Sequence, residues 1–442
     1  MSYFIIFNKK IINGDNIMDA EMLLEIENLG LINKANLEIG KINVIVGKNS
    51  TGKSTSSKFL FSLLTAASSE GTQLANNNIH FRLLNFVEYW KVKGSQEMEA
   101  KFNQVKNSLT NNPISPELFE EAYSQITLIL EGVDFKDKEL CINDLDSLFH
   151  IIKLNNDENV RYITVFNALV ESEYGSSLNR FRDAHIKFHG HYDGVEFKQD
   201  IKIGDEKSET SISKDFLNYF NFQNVIYIDS PSILENNRSS SQYHLQMLER
   251  KLKKIKRTDD VYGDEFYKDL NGFKGSIDEL IDGKFEYVPS EDIFLFIKDN
   301  QPPFSMQNTA SGLKQLGVIQ LLLDNNELTK NSFLILDEPE INLHPEFQVK
   351  LAEILVLSSK DLNITVYINT HSPFLAEAIE VYSKYHRTYE QTKFYLTQES
   401  ENEGKFDYVL MDDMDIMEVY NNLGNPFDTL NEIRFETELR NE

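Results

Sequence analysis

The sequence predicts an α/β fold with a mostly parallel core sheet, an antiparallel β lobe and a helical insertion. Three observations predict it. A β-branched run, Lys41-Ile42-Asn43-Val44-Ile45-Val46, ends at a glycine loop and leads into a helix-period segment from Ser54 to Ala67. Residues 72–180 carry apolar positions at helical spacing. From Thr309 onward helix and strand patterns alternate, the rhythm of βαβ units and a parallel sheet.

In chain order, periodic patterning starts at Leu23-Leu24-Glu25-Ile26, so either Met1 or Met18 can be the start. Residues 22–70 form the first part of the core. Residues 71–183 read as the insertion, with helices around Phe81-Leu84-Phe86-Val87 and Leu118-Phe119-Tyr123-Ile126-Ile129-Leu130, and a break at Pro113 and Pro116. Residues 184–308 change period. Ile186-Phe188 and Val195-Phe197-Ile201-Ile203 flank an Asp193-Gly194 turn as a hairpin, Asn224 to Ile228 is a buried strand stopped by Pro231, residues 243–257 are a helix, and Phe285 to Ile297 suggest an antiparallel pair. Residues 309–400 form the second core lobe: helix Leu313–Leu323, strand Phe333–Leu336, helix Gln348–Leu357, strand Thr365–Asn369 and helix Phe374–Tyr382. Residues 401–442 are a helical tail.

The chain has 442 residues, 41% hydrophobic and 26% charged, which excludes disorder or a fibre for the whole. Its apolar runs fall far short of the ~18 residues of a membrane span, so no membrane association is expected. A single cysteine, Cys141, excludes an internal disulfide or multi-thiolate zinc site, and with no cleavable signal pattern the expected location is the cytoplasm. Forty-four basic against seventy acidic residues give a net charge of −26, which repels polyanions and excludes coating of nucleic acid. Arg250-Lys251-Leu252-Lys253-Lys254-Ile255-Lys256-Arg257 is the exception. It can offer a local nucleic-acid contact, but a solvated helix face or a site for an acidic partner is favoured.

Gly47-Lys48-Asn49-Ser50-Thr51-Gly52-Lys53-Ser54 matches GxxxxGK[ST] between a strand and a helix, with Thr55 next on the helix. Glycines allow backbone N–H groups to converge on phosphate at a helix N-terminus, Lys53 reaches the β- and γ-phosphates, and Ser54 ligates Mg²⁺. ATP and Mg²⁺ are therefore the expected ligands. The strand Phe333-Leu334-Ile335-Leu336 closes with Asp337-Glu338, a Walker B pattern in which Asp337 serves the metal and Glu338 orients and deprotonates water. Ser311-Gly312 opens a helix as a second anion site, and His371 ends another strand where an imidazole can sense a γ-phosphate.

Together these residues resemble the P-loop, ABC-type ATPase heads of the SMC, RecF and OLD families, specifically the ATPases with an Asp-Glu-Pro-Glu-x-x-Leu-His-Pro segment, here Asp337 to Pro345. The order of phosphate loop, Ser-Gly signature, Walker B and Thr-His-Ser-Pro switch is the same, over about residues 22–70 and 305–400. The resemblance implies an ATP-hydrolysing homodimer or higher oligomer that sandwiches ATP, Ser311 and Gly312 acting in trans. It also implies an antiphage or abortive-infection role beside a separate effector protein. The alternatives are a RecF-like, DNA-binding repair ATPase and an ATP-dependent dimerisation scaffold. Three departures stand: the Q-loop glutamine is open among Gln199, Gln223 and Gln242; no coiled-coil arms occur; and only some 70 residues follow His371, too few for a TOPRIM nuclease. Asp412-Asp413-Asp415 reads as a solvated acidic turn.

Overall fold

The structure, a computed structural model, describes residues 21–93, 96–175, 181, 183–192, 195–203, 208–213, 216–218, 222, 224–229, 231–235, 242–254, 274–275, 277–279, 281–411, 415–423 and 426–441. An 11-stranded sheet organises them, in the order β6-β5-β4-β1-β2-β14-β13-β3-β12-β11-β7. In one half, β13 (Thr392–Glu399), β3 (Ile42–Val46), β12 (Thr365–Thr370), β11 (Phe333–Asp337) and β7 (Val225–Ile228) run parallel throughout. The other half is an antiparallel lobe of β6 (Ser208–Ile212), β5 (Val195–Ile203), β4 (Ala184–Tyr192), β1 (Glu21–Glu27) and β2 (Ile32–Glu38). Strand β14 (Phe406–Met411) joins the halves, antiparallel to β13 and parallel to β2.

The parallel strands β7 and β11 read as unbroken apolar runs up to the acid that ends β11, and β3 as a run broken only by Asn43, because both faces are covered. Ile42, Val44 and Val46 of β3 with Leu334 and Leu336 of β11 enter one core cluster, and Ile45, Phe333 and Ile335 enter the other. Helices α9 (Pro345–Leu362) and α10 (Pro373–Tyr385) cover the first face together with α8 (Ser311–Asp324). Helices α1 (Lys53–Ala67) and α6 (Glu158–Tyr174) cover the second. Both α9 and α10 begin with a proline after a capping side chain: the Ser372 hydroxyl accepts from the Leu375 N–H at 3.3 Å. A proline costs nothing at a first helical position, where its missing N–H would have no partner.

Residues 71–183 contain most of α2 (Ser69–Lys93), then α3 (Gln96–Asn111), α4 (Pro116–Glu131), α5 (Lys138–Asn156) and α6. Helices α2 to α5 enclose a core of their own, including Phe102, Phe119 and Ile126. Strands β8 (Lys284–Val288), β9 (Ile293–Ile297) and β10 (Phe304–Ser305) form the separate small antiparallel sheet. The strands of the expected hairpin pair as far as Tyr192 and Val195, and its Asp193-Gly194 turn lies outside the described residues. The tail holds α11 (Ile416–Leu423) and α12 (Pro426–Asn441). Asp412 and Asp413 lie outside the described residues, whereas the Asp415 carboxylate accepts from the Met417 N–H at 2.9 Å and starts α11.

Helix α7 (Tyr243–Leu252) differs from the solvated basic face expected of it. Lys251 is buried, with Nζ 2.9 Å from Glu327 Oε2 and 3.2 Å from Glu70 Oε2. Arg250 pairs with Glu70, Lys254 with Glu327 at 2.7 Å, and Lys253 with Glu249 at 2.8 Å and Asp292 at 2.7 Å. Those acids lie far away in sequence, apart from Glu249, so charge clustering along the chain did not reveal the pairing. Ile255, Lys256 and Arg257 lie outside the described residues.

Candidate nucleotide site

The loop of residues 47–52 leaves the carboxyl end of β3 and feeds α1, where phosphate binds in parallel α/β sheets. Gly52 at φ +91° and Ser50 at φ +64° turn the chain through left-handed conformations. Gly47 lies against β13: a Cβ there would stand 1.8 Å from Thr397 Oγ1. Lys48, Asn49 and Ser50 form the exposed crest of the loop, and Ser54 is exposed on the first turn of α1. Thr51 is buried, with its hydroxyl donating to Lys48 O at 3.0 Å. Thr55 is held from both sides, its N–H donating to Gly52 O at 2.9 Å and its carbonyl accepting the Tyr174 hydroxyl at 2.6 Å.

Lys53 is buried and folds back on its own loop, Nζ donating to Gly47 O at 2.8 Å and Lys48 O at 2.7 Å. Burial pushes its amine below the usual lysine range, against the opposing field of Glu338, Asp337 and Glu340. The acids at the end of β11 and just beyond it are therefore close enough for their field to act on the lysine of the loop.

Asp337 ends β11 in register with Asn369 of β12. Its Oδ1 accepts from Asn369 Nδ2 at 2.9 Å and its Oδ2 from the Tyr227 hydroxyl at 2.9 Å. Ser57 Oγ closes the circuit, 2.9 Å from Asn369 Nδ2 and 3.0 Å from the Tyr227 oxygen. Three buried side chains, from α1, β7 and β12, thus fix the carboxylate that ends β11.

Glu338 follows with φ +52°, a left-handed turn rare for a residue with a side chain, and its N–H donates to Asn369 O at 2.9 Å. Its side chain is 24% exposed, and Oε1 lies 3.6 Å from His371 Nδ1. Glu340 is buried: Oε1 accepts the Thr370 hydroxyl and the His371 N–H, each at 2.7 Å, and lies 3.1 Å from His371 Nδ1. Burial pushes its carboxyl above the usual range, with these donors opposing.

The structure brings the 47–55 loop and helix start, Asp337, Glu338 and His371 together. Ser311 begins α8, and the nearest neighbours of a Cβ on Gly312 would be Leu343 Cδ2 at 2.9 Å and Asn342 O at 3.3 Å, on the turn after Glu340. Sequence reasoning gave no role to Tyr227, Asn369, Ser57 or Glu340. The available signals were weak: a tyrosine inside a buried strand needs a partner for its hydroxyl, and Ser57 lies one helical turn beyond Lys53. Of the three glutamines, buried Gln199 accepts the Tyr162 hydroxyl at 2.6 Å in the antiparallel lobe, Gln242 precedes α7, and Gln223 lies outside the described residues. Among the described residues no helix is long and apolar enough to cross a membrane.

A strand, glycine loop and helix, with acids at the end of a parallel strand next but one in the sheet, define a P-loop nucleotide-binding fold. The family model described as "AAA domain, putative AbiEii toxin, Type IV TA system" matches residues 136–377, more than half of the 442, and the chain belongs to that family. The match begins beyond the phosphate loop. Among solved structures, an SMC head domain from Thermotoga maritima is 12% identical, with a TM-score of 0.39 over 89% of this chain and 99% of that one. An SMC head bound to the C-terminal winged-helix domain of ScpA is 10% identical, with a TM-score of 0.45 over 90% and 98%. An SMC head with an extended coiled coil, bound to the C-terminal domain of ScpA derived from Pyrococcus furiosus, is 11% identical, with a TM-score of 0.40 over 94% and 100%. No curated protein matches the chain.

Proposed function

We propose that this protein binds and hydrolyses ATP at the site built by residues 47–55, Asp337, Glu338 and His371, and that it does so as an ATP-sandwich dimer. The observation that carries the reading is the glycine loop after β3, closed around the buried amine of Lys53, on a helix whose Ser57 joins the hydrogen-bonded circuit that holds Asp337. ATP would draw Lys53 away from its own loop carbonyls, replacing neutral acceptors with charged phosphate oxygens. The N–H groups at the start of α1 add attraction for the same oxygens.

The donor set fits Mg²⁺: Ser54 and Asp337 are hard oxygen ligands, and the Asp337 carboxylate is pre-oriented by Tyr227 and Asn369. Bound there, the metal supplies neutralisation of phosphate charge. Glu338, partly exposed and turned out of β11 by its backbone, orients the attacking water and takes its proton as the water oxygen bonds to the γ-phosphorus and the bridge to ADP breaks. His371 faces the same side. Ser311 and Gly312 open α8 rather than the loop of residues 47–55, and in this reading they serve the site of a second copy.

The biological reading is a cytoplasmic regulatory ATPase of an antiphage or abortive-infection system with a separate effector. A family description that names a toxin–antitoxin system supports it. The internal pairing of Arg250, Lys251, Lys253 and Lys254 weighs against the DNA-binding alternative. In the deciding experiment, Glu338→Gln should bind ATP and lose turnover by a factor on the order of 10² or more, whereas Lys53→Ala should lose binding. Steady-state ATPase unchanged in Glu338→Gln rejects the site. Mixing Lys53→Ala with Ser311→Arg chains should restore part of the activity, and no restoration rejects the sandwich.

A further inference from the structure

The acid two residues beyond Glu338 is buried to 4% exposure, deeper than either acid before it. Its Oε2 has no hydrogen-bond partner, while Oε1 gathers two donors from the strand end that carries His371. An unpaired buried carboxylate oxygen is costly, and apolar packing would fill the same space without that cost. The feature therefore calls for a role other than packing.

We infer that Glu340 is a positioning residue for His371, gripping the residue by its backbone N–H and turning the imidazole so that Nδ1 faces the buried carboxylate and Nε2 faces away. Nδ1 lies 3.1 Å from Glu340 Oε1 and is itself shielded from water without a hydrogen-bond partner, although the side chain as a whole is 39% exposed. The exposed edge of the ring is therefore the one that carries Nε2. The grip is braced. Thr370 donates its hydroxyl to the same Oε1 and accepts the Ser372 N–H at 2.9 Å. The Ser372 hydroxyl donates to Gln348 Oε1 at 2.6 Å, Gln348 Nε2 donates to Leu343 O at 3.0 Å, and the Leu343 N–H returns to Glu340 O at 2.9 Å. This loop of hydrogen bonds holds the turn after β11 and the start of α10 as one unit, so that the imidazole enters a bound-nucleotide complex already oriented.

The inference rests on the proposed nucleotide-facing role of His371, and its test separates the two. In steady-state assays of the full chain, Glu340→Gln should lower kcat about tenfold with KM for ATP within threefold. Placed on His371→Ala, the same substitution should cost less than twofold, because a residue that acts through the ring has nothing left to orient. An undiminished cost in that background, or wild-type kcat in Glu340→Gln alone, overturns the inference. Wild-type turnover in His371→Ala instead rejects the role of the histidine.

The ring is also read without activity. In a ¹⁵N-histidine spectrum, the His371 signals should report a proton on Nδ1 in the wild type and a changed tautomer balance in Glu340→Gln. Identical ring signals in both overturn the inference. If Glu340→Gln folds poorly, Thr370→Val should move the signals in the same direction and Thr370→Ser should leave them in place. No difference between those two overturns it equally.

Discussion

Two histidines of this protein each have two carboxylate neighbours, and they differ in how far solvent reaches them. His244 is completely buried, with Nδ1 2.6 Å from Glu173 Oε2 and Nε2 3.0 Å from Asp229 Oδ2. His371 is 39% exposed, with both neighbouring acids on the Nδ1 side. One has spent both ring nitrogens inside the protein, and the other has acids at one nitrogen only. His244 pins α6 of the helical insertion to the end of β7, and its ring lies 4.9 Å from that of Tyr227, whose hydroxyl holds Asp337. The same side chain thus acts as a rivet behind the site, and at its front has the sensor role proposed above.

The largest effect expected from this contrast is on folding. His244→Ala leaves the buried Glu173 and the half-buried Asp229 without their partner and should destabilise by about 3–5 kcal/mol in urea unfolding, the range for breaking a buried pair. A loss below ~1 kcal/mol would mean that the rivet is dispensable. His371→Ala should stay within about 0.5 kcal/mol of wild type in the same experiment and yet lower ATP turnover by a factor on the order of 10². Equal stability losses in the two variants would erase the distinction.

Next in size is Tyr227→Phe, which removes a hydroxyl hydrogen-bonded to a carboxylate and should cost about 1.5–3 kcal/mol. Because that hydroxyl also meets Ser57, the loss should shrink in a Ser57→Ala background; strict additivity would show that the circuit around Asp337 is no circuit.

Acidity sharpens the comparison further. Burial opposes charge on His244, but the hydrogen bonds from Asp229 and Glu173 outweigh it and hold the imidazole above its ordinary value of 6.5. Burial likewise opposes charge on Asp229, whose carboxyl is nonetheless held below its ordinary 3.8 by His244. The histidine contribution is complete below 6.5 and fades as pH rises through the raised folded value, and the aspartate contribution is complete above 3.8 and fades as pH falls through the lowered one. The stability gap between wild type and His244→Gln should therefore be widest between 3.8 and 6.5 and narrow as the medium turns alkaline. A gap independent of pH would place a neutral histidine in the pair.

The smallest effect belongs to α7. Lys254→Ala removes a half-exposed partner of Glu327 and should change stability by no more than about 1 kcal/mol. The wild type should show no salt-sensitive DNA binding near 0.15 M ionic strength, since Arg250, Lys251, Lys253 and Lys254 already face acids. Tight, salt-dependent binding would restore the nucleic-acid reading.

The glycine loop, the acids at the end of β11 and the position of the histidine after β12 were legible because local patterns encode them: a loop needs its glycines at set positions, and a parallel strand buried on both faces is mostly apolar until it ends. The same pattern located β7 from Val225 to Ile228 without indicating that its tyrosine would close a circuit around Asp337. Likewise Glu340 could be read as part of a motif, but which of its oxygens is gripped depends on Thr370 and His371 of a different strand.

By itself the sequence determined the α/β class, the helical insertion, the glycine loop and the charge of −26, since backbone propensity, hydrophobic period and composition are properties of neighbours along the chain. Tertiary structure alone decided which charges cancel and which remain. Lys251 meets Glu327 across 76 residues and Glu173 meets His244 across 71, and such partners are chosen by the packing that removes water from around them. Only in that dry setting does an ion pair become a structural constraint, whereas in water the same two charges would scarcely notice each other.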